Sequence, residues 1–102
     1  MRTVSVTDAI TAVAARVDPL LRGVITIQNT GANTAALKFD GSDAVLTAAN
    51  GIELLAGDTM TLQNDPGPHP EDGWLPVASN AIEAICATGL TTTLRIQETA
   101  WD

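Results

Sequence analysis

The chain reads as an all-β domain, a small antiparallel β-sandwich of about seven or eight strands. Three observations predict it. Apolar and polar residues alternate over 24–28 (VITIQ), 35–39 (AALKF), 59–63 (TMTLQ) and 92–97 (TTLRIQ). Side chains on a strand point alternately to opposite faces, so a period of two marks a half-buried strand. Gly, Asn and Asp punctuate these runs, as turns between short strands require. The pattern fills nearly all of the 102 residues, so one domain, 1–102, accounts for the chain.

The elements follow in order. Val4 and Val6 alternate with Thr3, Ser5 and Thr7, a first short strand. Over 8–17 the period is ambiguous. Ile10, Val13, Ala14 and Val17 fit helical spacing with Thr7 or Asp8 as N-cap, and the Ala-rich composition suits a helix. Ile10, Ala12 and Ala14 equally alternate with Thr11, Val13 and Ala15, and the strand is the preferred reading. Asp18-Pro19 ends whatever precedes it, because the residue before Pro is pushed out of the helical region.

Residues 22–28 form the best-defined strand, with Ile25 and Ile27 on one face and Val24 and Thr26 on the other. Both faces are fairly apolar, which predicts a central position. The segment 29–33 (NTGAN) is a turn, and 35–39 returns with Ala35, Leu37 and Phe39 on one face. These two runs make the best candidate hairpin of the chain. Residues 40–43 are a loop, and 44–49 suit a helical turn or an irregular edge. Asn50-Gly51 signals a turn into a short strand at 52–55, and 56–58 (AGD) a tight turn into the strand at 59–63. The Pro-rich stretch 64–76 cannot be a strand or helix interior and reads as a long exposed loop. Runs at 81–87 and 91–98 form a final hairpin around Thr88, Gly89 and Leu90.

Composition limits both core and function. Sixteen residues are Ala and only Phe39, Trp74 and Trp101 are aromatic, so the core is expected to be thin and built of Val, Ile and Leu. A thin core favours added stability from a partner or from self-association. The net charge of −7, with one Lys and four Arg, argues against nucleic acid, whose phosphates demand a dense basic surface. It disfavours anionic membranes for the same reason. The N-terminal segment has no continuous apolar core of a signal peptide, and no stretch is apolar enough to span a membrane. Synthesis and folding in a cytosol are expected. Cys86 is the only cysteine, which rules out an intrachain disulfide, and its apolar surroundings read as those of a small buried hydrophobe.

The chain offers little for catalysis. A Ser–His–Asp arrangement would need His69, which lies in the Pro-rich loop, and Ser5, Ser42 and Ser79 sit in no nucleophile elbow. One His and one Cys do not make a zinc site. Asp40 and Asp43 lack the further ligands and closing Glu of a calcium loop. No Gly-rich loop between strand and helix offers a phosphate cradle. The expectation is therefore a non-enzyme without metal or cofactor. The best interaction candidates are Trp74, at the exit of the polar loop, and Trp101, near the C-terminus, because one indole removes a large apolar area from water. Leu75 and His69 complete that candidate surface with the loop itself. The structural alternative is that each Trp folds back to cap the core.

Segments 18–29 (DPLLRGVITIQN), 36–41 (ALKFDG), 50–58 (NGIELLAGD), 80–87 (NAIEAICA) and 94–98 (LRIQE) follow one another in an order that resembles small β-rich virion proteins of tailed bacteriophages. The resemblance covers roughly residues 16–98. It implies a compact, jelly-roll-like sandwich on the capsid surface of a virion, made in the host cytoplasm. The roles it implies are those of a structural virion part: capsid decoration or cement, a head-fibre base, or a tail component. The favoured role is a decoration or cement protein that binds the major capsid protein, and self-association as a trimer or dimer is expected besides. A tail or fibre adaptor and a glycan- or ligand-binding module are the alternatives, with a small cupin-like enzyme disfavoured by the missing His cluster. The insertion at 65–70 and Glu83, where an aromatic is usual, depart from the family pattern and mark a surface particular to this chain.

Overall fold

A computed structural model describes residues 2–15, 23–39, 44–63 and 80–99. Eight strands run through them: β1 (Arg2–Val6), β2 (Thr11–Ala14), β3 (Val24–Asn29), β4 (Ala35–Lys38), β5 (Ile52–Leu54), β6 (Thr59–Gln63), β7 (Ile82–Ile85) and β8 (Thr92–Thr99). They form two four-stranded antiparallel sheets, ordered β1-β8-β3-β6 and β2-β7-β4-β5. The pairing is nested: β4 with β5, β3 with β6, β2 with β7 and β1 with β8. A long antiparallel ribbon rolled up this way brings β8 beside β3 and β7 beside β4, which closes each sheet. That is the strand order of a jelly roll.

The alternation read from the sequence places the core. Ile25, Ile27 and Asn29 of β3 point inward and are fully buried, while Val24, Thr26 and Gln28 are half-buried on the outer face. β3 is internal to its sheet, as its two apolar faces predict. The core joins Val6, Val13, Ile25, Ile27, Leu37, Leu54, Leu62, Ile82, Leu94 and Ile96 to the smaller Ala14, Ala35, Ala84 and Cys86. Phe39, Val4 and Met60 pack against it from its margin. Among the described residues the core is aliphatic.

Residues 11–14 are a strand, as preferred for the ambiguous stretch, of which 16–17 lie outside the described residues, and the register shift between Ala12 and Ala14 explains the mixed period. A bulge moves one residue out of phase, so Val13 and Ala14 are both buried in succession. Residues 44–47 are irregular and 48–50 turn, so neither helix nor strand forms there. Ala36, on the outer face of β4, and Leu46 are both buried and close in on Gly51, where a Cβ would meet each of them at 2.8 Å.

Two predicted hairpins are absent. β3 and β4 lie in different sheets, as do β7 and β8. The segments 30–34 and 86–91 carry the right turn residues, yet they cross from one sheet to the other. The segment 55–58 does the same between β5 and β6. The Pro-rich stretch 64–76 lies outside the described residues.

Candidate functional site

The three short crossings and the β1–β2 connection gather at one end of the sandwich. Registers fix this: Val6 lies opposite Thr92, Asn29 opposite Leu94, Gln28 opposite Thr59, and Ala35 opposite Leu54. The four connections, 7–10, 86–91, 30–34 and 55–58, lie side by side in that order and are bonded to one another. Cys86 N donates to Thr7 O at 2.8 Å and Gly89 N to Asp8 Oδ2 at 3.0 Å. Asn33 Nδ2 donates to Thr91 O at 2.8 Å, and Thr30 N to Thr93 O at 2.9 Å. Gly57 N donates to Asn29 O at 2.8 Å, and Asn29 N to Asp58 O at 2.9 Å.

The side chain of Asn29 is the hub. Its amide nitrogen donates to Asn33 O and Leu54 O, and its oxygen accepts from Gly31 N and Thr92 Oγ1, all within 2.7–3.1 Å. A fully buried amide that lost these partners would be costly, so the network holds one loop geometry. Two of the loops share a design. Asp58 N bonds back to Leu55 O and Leu90 N to Ala87 O, with Gly57 and Gly89 at positive φ in the third position. That is the type II turn, which favours Gly there.

These loops present Ile10, Leu55 and Leu90, which are 42%, 50% and 42% exposed. Each comes from a different loop, so the apolar side chains are spread across one rigid rim. The sequence gives no direct signal for them: Ile10 and Leu55 sit within apolar runs and look like core positions, and Leu90 is a lone apolar residue in a turn. A second apolar feature lies at the β4–β5 side. A cavity of about 410 Å³ is lined by Leu37, Phe39, Val45, Leu46, Ile52 and the stem of Lys38, among others. Lys38 Nζ lies 3.8 Å from Glu83 Oε1, and the Asn50 side chain is bonded to the backbone of Thr47 and Val45. The polar groups beside the cavity are therefore already partnered.

Among the described residues no three His, Cys, Asp or Glu side chains cluster to hold a metal ion. Cys86 is buried with its thiol near Val6 O at 3.8 Å. Burial, and then the nearby Asp8 carboxylate, push the Cys86 thiol above its ordinary range, so it stays protonated and a poor nucleophile. Among the described residues no helix is long and apolar enough to cross a membrane.

Trp74, Trp101, His69 and Leu75, the residues the sequence nominates for contacts, lie outside the described residues. Compared with family models, curated proteins and solved structures, the chain matches none of them.

Proposed function

We propose that this protein is a non-enzymatic structural component of a virion, a capsid decoration or cement protein that binds the major capsid protein and stabilises the shell. The observation that carries this reading is the rim: four mutually bonded loops hold Ile10, Leu55 and Leu90 half-exposed over a core that is aliphatic among the described residues. A rigid apolar rim lowers the ordering cost of a contact. The energy scale fits a lattice partner. Burying the exposed half of each of three such side chains is worth about 1 kcal/mol apiece, too little for a durable one-to-one complex. Many copies on a repeating surface gain the missing affinity through avidity. Self-association of the chain, as a dimer or trimer, would raise it further.

The test is co-sedimentation with capsid shells assembled from the major capsid protein alone. The expected result is saturable binding and a higher shell-rupture temperature. Replacing Ile10, Leu55 and Leu90 together by Asp should weaken binding by at least about tenfold while leaving the melting temperature of the free domain within a few degrees. A triple variant that binds like the unaltered protein, or an unaltered protein that ignores shells, removes the reading. Binding to tail-fibre components or to glycans in place of shells would move the chain to the corresponding alternative role.

A further inference from the structure

Each sheet of a sandwich has two open edges, and an open edge is a row of backbone groups ready to pair with another strand. Three of the four edges here are blunted. β1 carries Arg2, whose guanidinium bonds Glu98 at 2.7 Å and reaches across to Val13 O at 2.6 Å, closing that side of the sandwich. β2 is four residues long with a register shift in its middle. β5 is three residues long with Glu53 at its centre. β6 has none of these devices. It is five residues long, unbroken in register against β3, and contains no charge and no Pro.

The ladder also shows which of its groups are free. Asn29 N bonds Asp58 O, so the alternation along an antiparallel pair directs the N–H and C=O of Met60 and Leu62 towards β3. Those of Thr59, Thr61 and Gln63 then point away from the sheet. The close approach of the Thr26 and Thr61 hydroxyls, 3.3 Å apart, fits the non-bonded pair this assigns to them. No described strand lies beyond β6.

We infer that β6 is a self-pairing edge, where a second copy of this chain adds its own β6 antiparallel about a two-fold axis at Thr61. The strand is its own complement in that register. Thr61 faces Thr61 of the copy, and Thr59 faces Gln63 in both directions. Each of these three residue pairs exchanges two backbone hydrogen bonds, and the sheet grows to eight strands. Inward, half-buried Met60 meets buried Leu62 of the copy, so the two cores become continuous along their margins. The chain carries a net charge of −7, so two copies repel almost everywhere. Along β6 no charged residue opposes its counterpart, whereas the same pairing at β5 would set Glu53 against Glu53. The inference rests on the self-association part of the proposed function and fixes its surface and its order, a dimer.

The experiment is sedimentation equilibrium over a wide concentration range, on the unaltered chain and on Thr61→Pro and Thr61→Lys. Thr61→Pro removes an N–H that β3 does not use, and Thr61→Lys places like charges face to face at the axis. A reversible monomer–dimer equilibrium is expected. Its dissociation constant should rise by at least about tenfold in either variant and should fall with added salt in the unaltered chain. Amide exchange gives a second readout that does not depend on the fold of the Pro variant. Thr59, Thr61 and Gln63 should gain protection with concentration, while Met60 and Leu62 are protected throughout. A monomer at every concentration, a trimer, or a dimer indifferent to Thr61→Lys overturns the inference. Shell binding by a chain that stays monomeric would overturn this pairing and leave the virion role standing. A β6-dependent dimer that ignores shells would do the reverse.

Discussion

Asn29 ends β3 in the inward phase of Ile25 and Ile27, at a place where an aliphatic residue would be expected. Its amide makes four hydrogen bonds to 31, 33, 54 and 92, and so ties the 30–34 connection, the end of β5 and the start of β8 to one strand end. Asn29→Asp keeps the shape and removes both donors, leaving Asn33 O and Leu54 O facing a buried carboxylate oxygen. It should lower stability by about 3 kcal/mol, read as a shift of the urea midpoint with little change in slope. Gly31 explains why the same loop cannot carry a side chain. A Cβ there would fall against Thr92 Oγ1 and 2.6 Å from the backbone nitrogen of Thr93. An inward polar residue at a strand end, followed two positions later by Gly, is the local signal that this connection has a special job.

Strands were legible because their period is local. β3, β4, β6, β7 and β8 fall where alternation puts them, and even β2 emerges once its bulge is allowed. Pairing was not legible, because alternation reports which side chains face inward and says nothing about which strand lies alongside. A type II turn such as 87–90 reads like a hairpin tip in sequence, while its flanking strands belong to opposite sheets. The rim shares this limit: Ile10, Leu55 and Leu90 become recognisable as a surface only after the topology collects their loops. The sheet order makes its own prediction. β3 and β8 are flanked on both sides, and Leu94 and Ile96 of β8 are almost fully buried. Ile96→Ala should therefore cost about 2–5 kcal/mol. Native-state amide exchange should find β3 and β8 opening last and β5 first.

At the scale of the whole molecule, nested pairing ties together distant parts of the chain. β4 and β5 are separated by one connection, whereas β1 and β8 span nearly the full length, with Arg2 opposite Ile96. Closing such long loops is entropically costly before any contact rewards it, so folding should be slow for a domain of this size, in milliseconds to seconds. Stopped-flow refolding checks this, and substitutions in β4 and β5 should slow folding more than those in β1. The same nesting decides which pole of the sandwich each strand end reaches. Arg2 and Thr99 sit on neighbouring strands at the pole opposite the apolar rim. A fluorescent label carried at either position would sit at the rear of the molecule, and the face proposed to grip the shell would stay clear.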